Sequence, residues 1–66
     1  MSIDADPLLG LLTIPEVAEL LRISVPSVRR LQQQRKIPFL KVGGRIRFTQ
    51  GDLASYLEKR RVRSID

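Results

Sequence analysis

Cysteine, histidine and tryptophan are all absent from the 66 residues. Without cysteine and histidine the chain has no disulfide, no thiolate chemistry, no zinc-finger ligand set and no imidazole acid or base. Its three aromatics, Phe39, Phe48 and Tyr56, are too few for a platform on which single-stranded bases stack. No apolar run approaches the roughly 18–20 residues of a membrane span, and no Gly-rich loop leads into Lys-Ser or Lys-Thr to cradle a nucleotide phosphate. The acidic start Met1-Ser2-Ile3-Asp4-Ala5-Asp6 lacks the basic-then-apolar order of a secretory signal, which predicts a cytoplasmic protein. At about 60 residues a domain buries only about 60% of the surface its unfolded chain exposes. That leaves little core in which to enclose a substrate, so neither an enzyme nor a cofactor, metal or small-molecule site is expected. Stability has to come from packing.

Positive charge is what the chain does have: 12 Lys and Arg against 7 Asp and Glu, a net +5. No cation precedes Arg22, whereas Asp4, Asp6, Glu16 and Glu19 all do. Nine of the twelve cations are Arg, whose planar fork suits phosphate oxygens and guanine edges better than a Lys point charge does. A polyanion is the partner this balance implies. The alternative is that the basic residues merely keep a small domain soluble, and where they fall along the chain decides between the two.

Residues 1–10 read as a flexible segment, 11–60 as the domain and 61–66 as a basic tail. The Leu8-Leu9 and Leu11-Leu12 pairs are expected to close over the core or form a short extended segment. Thr13-Ile14-Pro15-Glu16 offers a hydroxyl N-cap, a proline in the first turn and a carboxylate that returns the cap hydrogen bond. Ile14, Val17, Ala18 and Leu21 then recur at helical spacing, predicting a helix from Ile14 to Leu21. Ser24-Val25-Pro26-Ser27 is a second cap with a proline in the opening turn, so another helix starts after a short connection and ends near Arg35, ahead of Pro38. Val28 and Leu31 are its inward positions, with Ile23 and Val25 packing at the turn. Two short helices so closely joined have the geometry of a helix-turn-helix. Phe39-Leu40-Lys41-Val42 and Arg45-Ile46-Arg47-Phe48 around Gly43-Gly44 predict a hairpin, with Ile46 and Phe48 on one face and Arg45 and Arg47 on the other. Thr49, with Asp52 three residues on, caps a third helix whose buried stripe is Leu53, Tyr56 and Leu57. The fold class is therefore mainly α with a small β-hairpin: three helices plus a two-stranded wing.

A helix that enters a major groove needs an outward face able to meet base edges and phosphates and an apolar face that holds it to the domain. Residues 24–34 meet both needs. Ser24 and Ser27 lie in the first turn, where hydroxyls and free N–H groups can meet a phosphate or act only as caps. Arg29, Arg30, Gln33 and Gln34 supply the outward face: Arg can read guanine, Gln can read adenine, and either can settle for a phosphate. Arg45 and Arg47 suit a minor groove or a phosphate backbone, and alternatively serve hairpin solubility and edge protection. Gly43 and Gly44 form the turn at the tip.

In its order of parts the chain resembles the excisionase-type, MerR-like winged helix-turn-helix DNA-binding family. The resemblance rests on Leu11-Leu12-Thr13-Ile14-Pro15-Glu16-Val17-Ala18-Glu19-Leu20-Leu21, on Ile23-Ser24 and Ser27-Val28, and on Ile37-Pro38 with the stretch from Lys41 to Phe48. It is closed by Asp52-Leu53-Ala54-Ser55-Tyr56-Leu57. It implies that the second helix enters the major groove through Ser24, Ser27, Arg29 and Arg30, that Arg45 and Arg47 are wing contacts, and that the domain has no enzymatic activity. Many members of that family carry basic or polar residues directly after the opening serine, where this chain has Val25-Pro26, so the resemblance implies no contact from those two side chains. The roles implied are a recombination directionality factor that bends double-stranded DNA for an integrase, with several copies on adjacent sites, or a small transcriptional regulator. The chain ends soon after its third helix, which favours the first role. A basic RNA- or protein-interaction module is the alternative from another class.

Overall fold

The computed structural model describes residues 10–62. Within them the order is α1 (Ile14–Leu21), α2 (Val25–Gln33), β1 (Leu40–Val42), β2 (Arg45–Arg47) and α3 (Gln50–Arg60). The expectations for residues 1–9, Leu8-Leu9 included, and for residues 63–66 lie outside the described residues.

Each helix begins where a side chain can satisfy N–H groups that the helix itself leaves unbonded. The Thr13 hydroxyl accepts from the Glu16 N–H at 3.3 Å, and the Glu16 carboxylate accepts the Thr13 N–H at 2.8 Å. Thr49 and Asp52 repeat this reciprocal pair at 2.9 and 3.0 Å. Such caps are worth about 0.5–2 kcal/mol each, a sizeable share for a chain this small. At α2 the Ser24 hydroxyl accepts from the Ser27 N–H at 3.2 Å.

The helix ends are less ordinary. Arg22 (φ 59°) and Arg35 (φ 56°) both adopt the left-handed conformation that glycine usually supplies. After α1, Arg22 N–H bonds the Glu19 carbonyl and Ile23 N–H the Ala18 carbonyl. After α2, Arg35 N–H bonds the Gln32 carbonyl and Lys36 N–H the Leu31 carbonyl. Both pairs are the closing bonds of a Schellman turn.

The core is one cluster of Ile14, Val17, Ala18, Val28, Ile37, Phe48 and Leu53, with Leu12, Leu21, Val25, Leu31, Phe39, Ile46 and Tyr56 packed around it. Phe48, Ile37, Val17 and Val28 are completely enclosed. Each such side chain contributes about 1.5–3 kcal/mol by leaving water. Two expectations are corrected here. Leu57 is 51% exposed rather than part of the buried stripe, because the core beneath α3 reaches only as far as Leu53 and Tyr56. So small a domain has no second layer to cover the next turn. Ile23, expected to pack at the turn, is 39% exposed, while its neighbour Val25 does pack on the core.

β1 and β2 pair antiparallel, Leu40 opposite Arg47 and Val42 opposite Arg45, around Gly43 (φ 58°) and Gly44 (φ 79°). Two successive positive φ values make the two-residue turn whose twist matches the flanking strands. The hairpin is not alone. Leu12 and Phe48 exchange both backbone hydrogen bonds, at 2.7 and 2.9 Å, so the residue before the Thr13 cap pairs with the far edge of the hairpin.

Candidate nucleic-acid interface

The two faces of α2 divide cleanly. Val28 is fully buried and Val25 and Leu31 pack on the core, while Arg29, Arg30, Gln33 and Gln34 are exposed. Val25 is thus committed to packing. Ser24 is exposed, Ser27 is half-buried, and their hydroxyls lie 2.8 Å apart. Both serines are engaged in holding the first turn of α2, and any further contact has to share those hydroxyls.

On the hairpin, paired residues point to the same side, so the register sets Leu40, Val42, Arg45 and Arg47 on one face and Lys41 and Ile46 on the other. Arg45 is exposed. Arg47 is half-buried and its guanidinium donates to the Ile46 carbonyl at 2.7 Å. Gly43 and Gly44 are exposed at the tip, with open space around the position of an added Cβ.

The helix face and the hairpin meet. A cavity of about 320 Å³, open to solvent, is lined by Thr13, Ile14 and Pro15 of the α1 start, by Arg29 of α2 and by Arg45, Ile46 and Arg47 of β2. Residues 16 and 18 positions apart in sequence therefore share one concave surface. Arg30, Gln33 and Gln34 do not line it. Sequence spacing gives no sign of this grouping, because it depends on how β2 is set against α1. Among the described residues no group of His, Cys, Asp and Glu could hold a metal ion.

A helix-turn-helix domain family model matches residues 11–61, most of the chain and every element of the fold. The chain belongs to this helix-turn-helix family. No curated protein and no solved structure matches it at a significant level. Three helices and an antiparallel hairpin are the parts of a winged helix-turn-helix, in which α1 and α2 are the paired helices and β1–β2 the wing. Membership points to sequence-specific binding of double-stranded DNA, in a family that is typically non-enzymatic. Among the described residues no helix of this helix-turn-helix domain is long and apolar enough to cross a membrane.

Tyr56 and Phe39, half-buried against the core, are placed for packing rather than base stacking. The Arg60 guanidinium lies 5.3 Å from the centre of the Tyr56 ring, a cation–π contact on the α3 surface. Beyond α3, Arg61 donates from Nε to the Glu58 carboxylate at 3.4 Å. Between exposed side chains such a pair adds little stability.

Proposed function

We propose that this chain is an excisionase-type DNA-binding factor: it binds and bends a specific duplex, helping an integrase excise a phage or mobile element. In this reading α2 lies in the major groove, where Arg30, Gln33 and Gln34 face the base edges and Ser24, Ser27 and Arg29 lie towards the backbone. The wing, tipped by Gly43-Gly44, carries Arg45 and Arg47 to the adjacent minor groove or its phosphates. Copies on neighbouring sites associate on the DNA, in the nucleoid of the cytoplasm. No catalytic step and no cofactor enters.

The observation that carries the reading is the continuity of the cationic surface: Arg29 of the paired helices and Arg45 and Arg47 of the wing bound one cavity. A domain that merely spread charge for solubility has no need to converge it, since like charges repel. The role in excision, rather than in transcription, draws its support from the motif resemblance. Bending a site costs on the order of 1–6 kcal/mol, which added protein–DNA contacts from neighbouring copies offset.

Selecting bound duplexes from a random pool and mapping the winners onto the source genome tests this. Tandem sites beside an integrase attachment sequence support excision, and binding there bends the DNA in a circular-permutation gel assay. Solitary sites in promoters assign the domain to transcription control instead. Preference for A-form RNA over the selected duplex would overturn the DNA reading, since a reading helix does not fit the deep, narrow A-form major groove.

A further inference from the structure

The cavity between α1, α2 and the wing has a chemistry of its own. Among the described residues seven line it, three of them Arg and none acidic. Glu16, the carboxylate nearest in sequence, is tied back to the Thr13 N–H at 2.8 Å and also accepts from the Thr13 hydroxyl. Phe48 turns both its N–H and its C=O outward to Leu12, and strand alternation sends the Ile46 N–H and C=O towards the same edge. The Ile46 carbonyl on that edge accepts from the Arg47 guanidinium at 2.7 Å. The first turn of α1 forms the opposite wall. At about 320 Å³ the space is at the small end for an organic ligand, is open to solvent, and has no aromatic lining.

We infer that this cavity is a seat for a single backbone phosphate of the bound duplex, shared by Arg29 and Arg45 with Arg47 alongside. Arg29 then sets the register of α2 on the DNA and reads no base. Base discrimination falls to Arg30, Gln33 and Gln34, which lie on α2 outside the cavity. One phosphate gripped from the helix and the wing together also fixes the angle between the two, which neither element could do by itself. The assignment rests on the DNA-binding reading above and goes beyond it by separating a positioning arginine from the reading face.

Counterion release makes the sharing measurable. Each phosphate neutralised contributes about 0.9 to the slope of log affinity against log salt, so losing one weakens the response between 50 and 200 mM salt by about 3.5-fold. Affinities of the wild type, Arg29→Ala, Arg45→Ala and the double variant are measured over that salt range on the selected duplex and on a scrambled one. Circular dichroism checks that each variant is folded. If both arginines grip one phosphate, the double variant loses about 0.9 of slope in total, and the ratio of affinities for the two duplexes is unchanged. A scan with neutral methylphosphonate linkages then finds one position that weakens the wild type but not the double variant.

A total loss near 1.8 means two separate phosphates, and a collapsed affinity ratio in Arg29→Ala makes that residue a base reader; either overturns the inference while leaving DNA binding intact. Wild-type protein that binds no duplex overturns both. Inorganic phosphate alone, titrated at fixed ionic strength against the Arg29 and Arg45 Nε–H resonances, is expected to shift them only at millimolar levels. Micromolar saturation would mark a site for the free anion and overturn the assignment to DNA.

Discussion

Replacing Arg22 and Arg35 together with glycine should stabilise the domain. Both residues hold positive φ, 59° and 56°, where an L side chain costs about 1–2 kcal/mol because Cβ crowds the following carbonyl. Glycine relieves that cost and introduces two smaller ones. The unfolded chain becomes freer by about 0.4–1 kcal/mol per site, and a cation near a helix C-terminus, worth about 0.3–1 kcal/mol, is lost. The balance is a gain of roughly 0.5 kcal/mol per site when the lower ends of both costs apply, as they should for exposed side chains. The closing bonds, such as Lys36 N–H to the Leu31 carbonyl at 2.9 Å, are between backbone groups and survive the change. The two sites lie beyond opposite ends of α2, whose nine residues span about 13 Å, so their effects should add. A total near 1 kcal/mol raises the midpoint of thermal unfolding by about 4–8 °C in a domain this size. Circular dichroism melts of the glycine double variant are compared with the alanine double variant, which removes the same two charges but keeps Cβ. If the glycine protein is no more stable than the alanine protein, the strain attributed to these positive-φ arginines is not there.

Arg30→Ala should weaken binding to the selected duplex by about 1–3 kcal/mol and relax preference at one base pair, read by competition against single-site variants of the duplex; equal losses on every duplex would make it a phosphate contact. Thr49→Ala removes the hydroxyl that accepts the Asp52 N–H, and should cost about 0.5–2 kcal/mol in urea unfolding with the m-value unchanged. Gly44→Val places a β-branched side chain at φ 79° and should loosen the hairpin, seen as faster amide exchange at Arg45 and Arg47, while the amides of α1 keep their protection.

What the sequence disclosed about this fold was local. The capping residues act over three positions, so Thr13 with Glu16 and Thr49 with Asp52 announced α1 and α3, and the bounds of α1 agree with those read from its apolar spacing. Gly43-Gly44 likewise carries its turn in two adjacent residues. What was hidden depends on tertiary placement. Leu12 and Phe48 lie far apart in sequence, and nothing near either residue signals that they exchange hydrogen bonds. The left-handed arginines gave no glycine to mark the ends of α1 and α2. Leu57 has the right spacing for a buried stripe, but spacing does not report how deep the core beneath it runs. The outward face of α2 was legible as a set, whereas the separation of Arg29 from Arg30, Gln33 and Gln34 emerged only once β2 stood beside α1.

The exchange between Leu12 and Phe48 makes the finger three-ply at its root. Its third ply is the run of chain that leads into the Thr13 cap, so a change at Leu12 bears on the root of the hairpin and on the start of α1 together. A substitution of Leu12 by proline, which removes the N–H given to the Phe48 carbonyl, therefore tests how far the finger leans on that third ply.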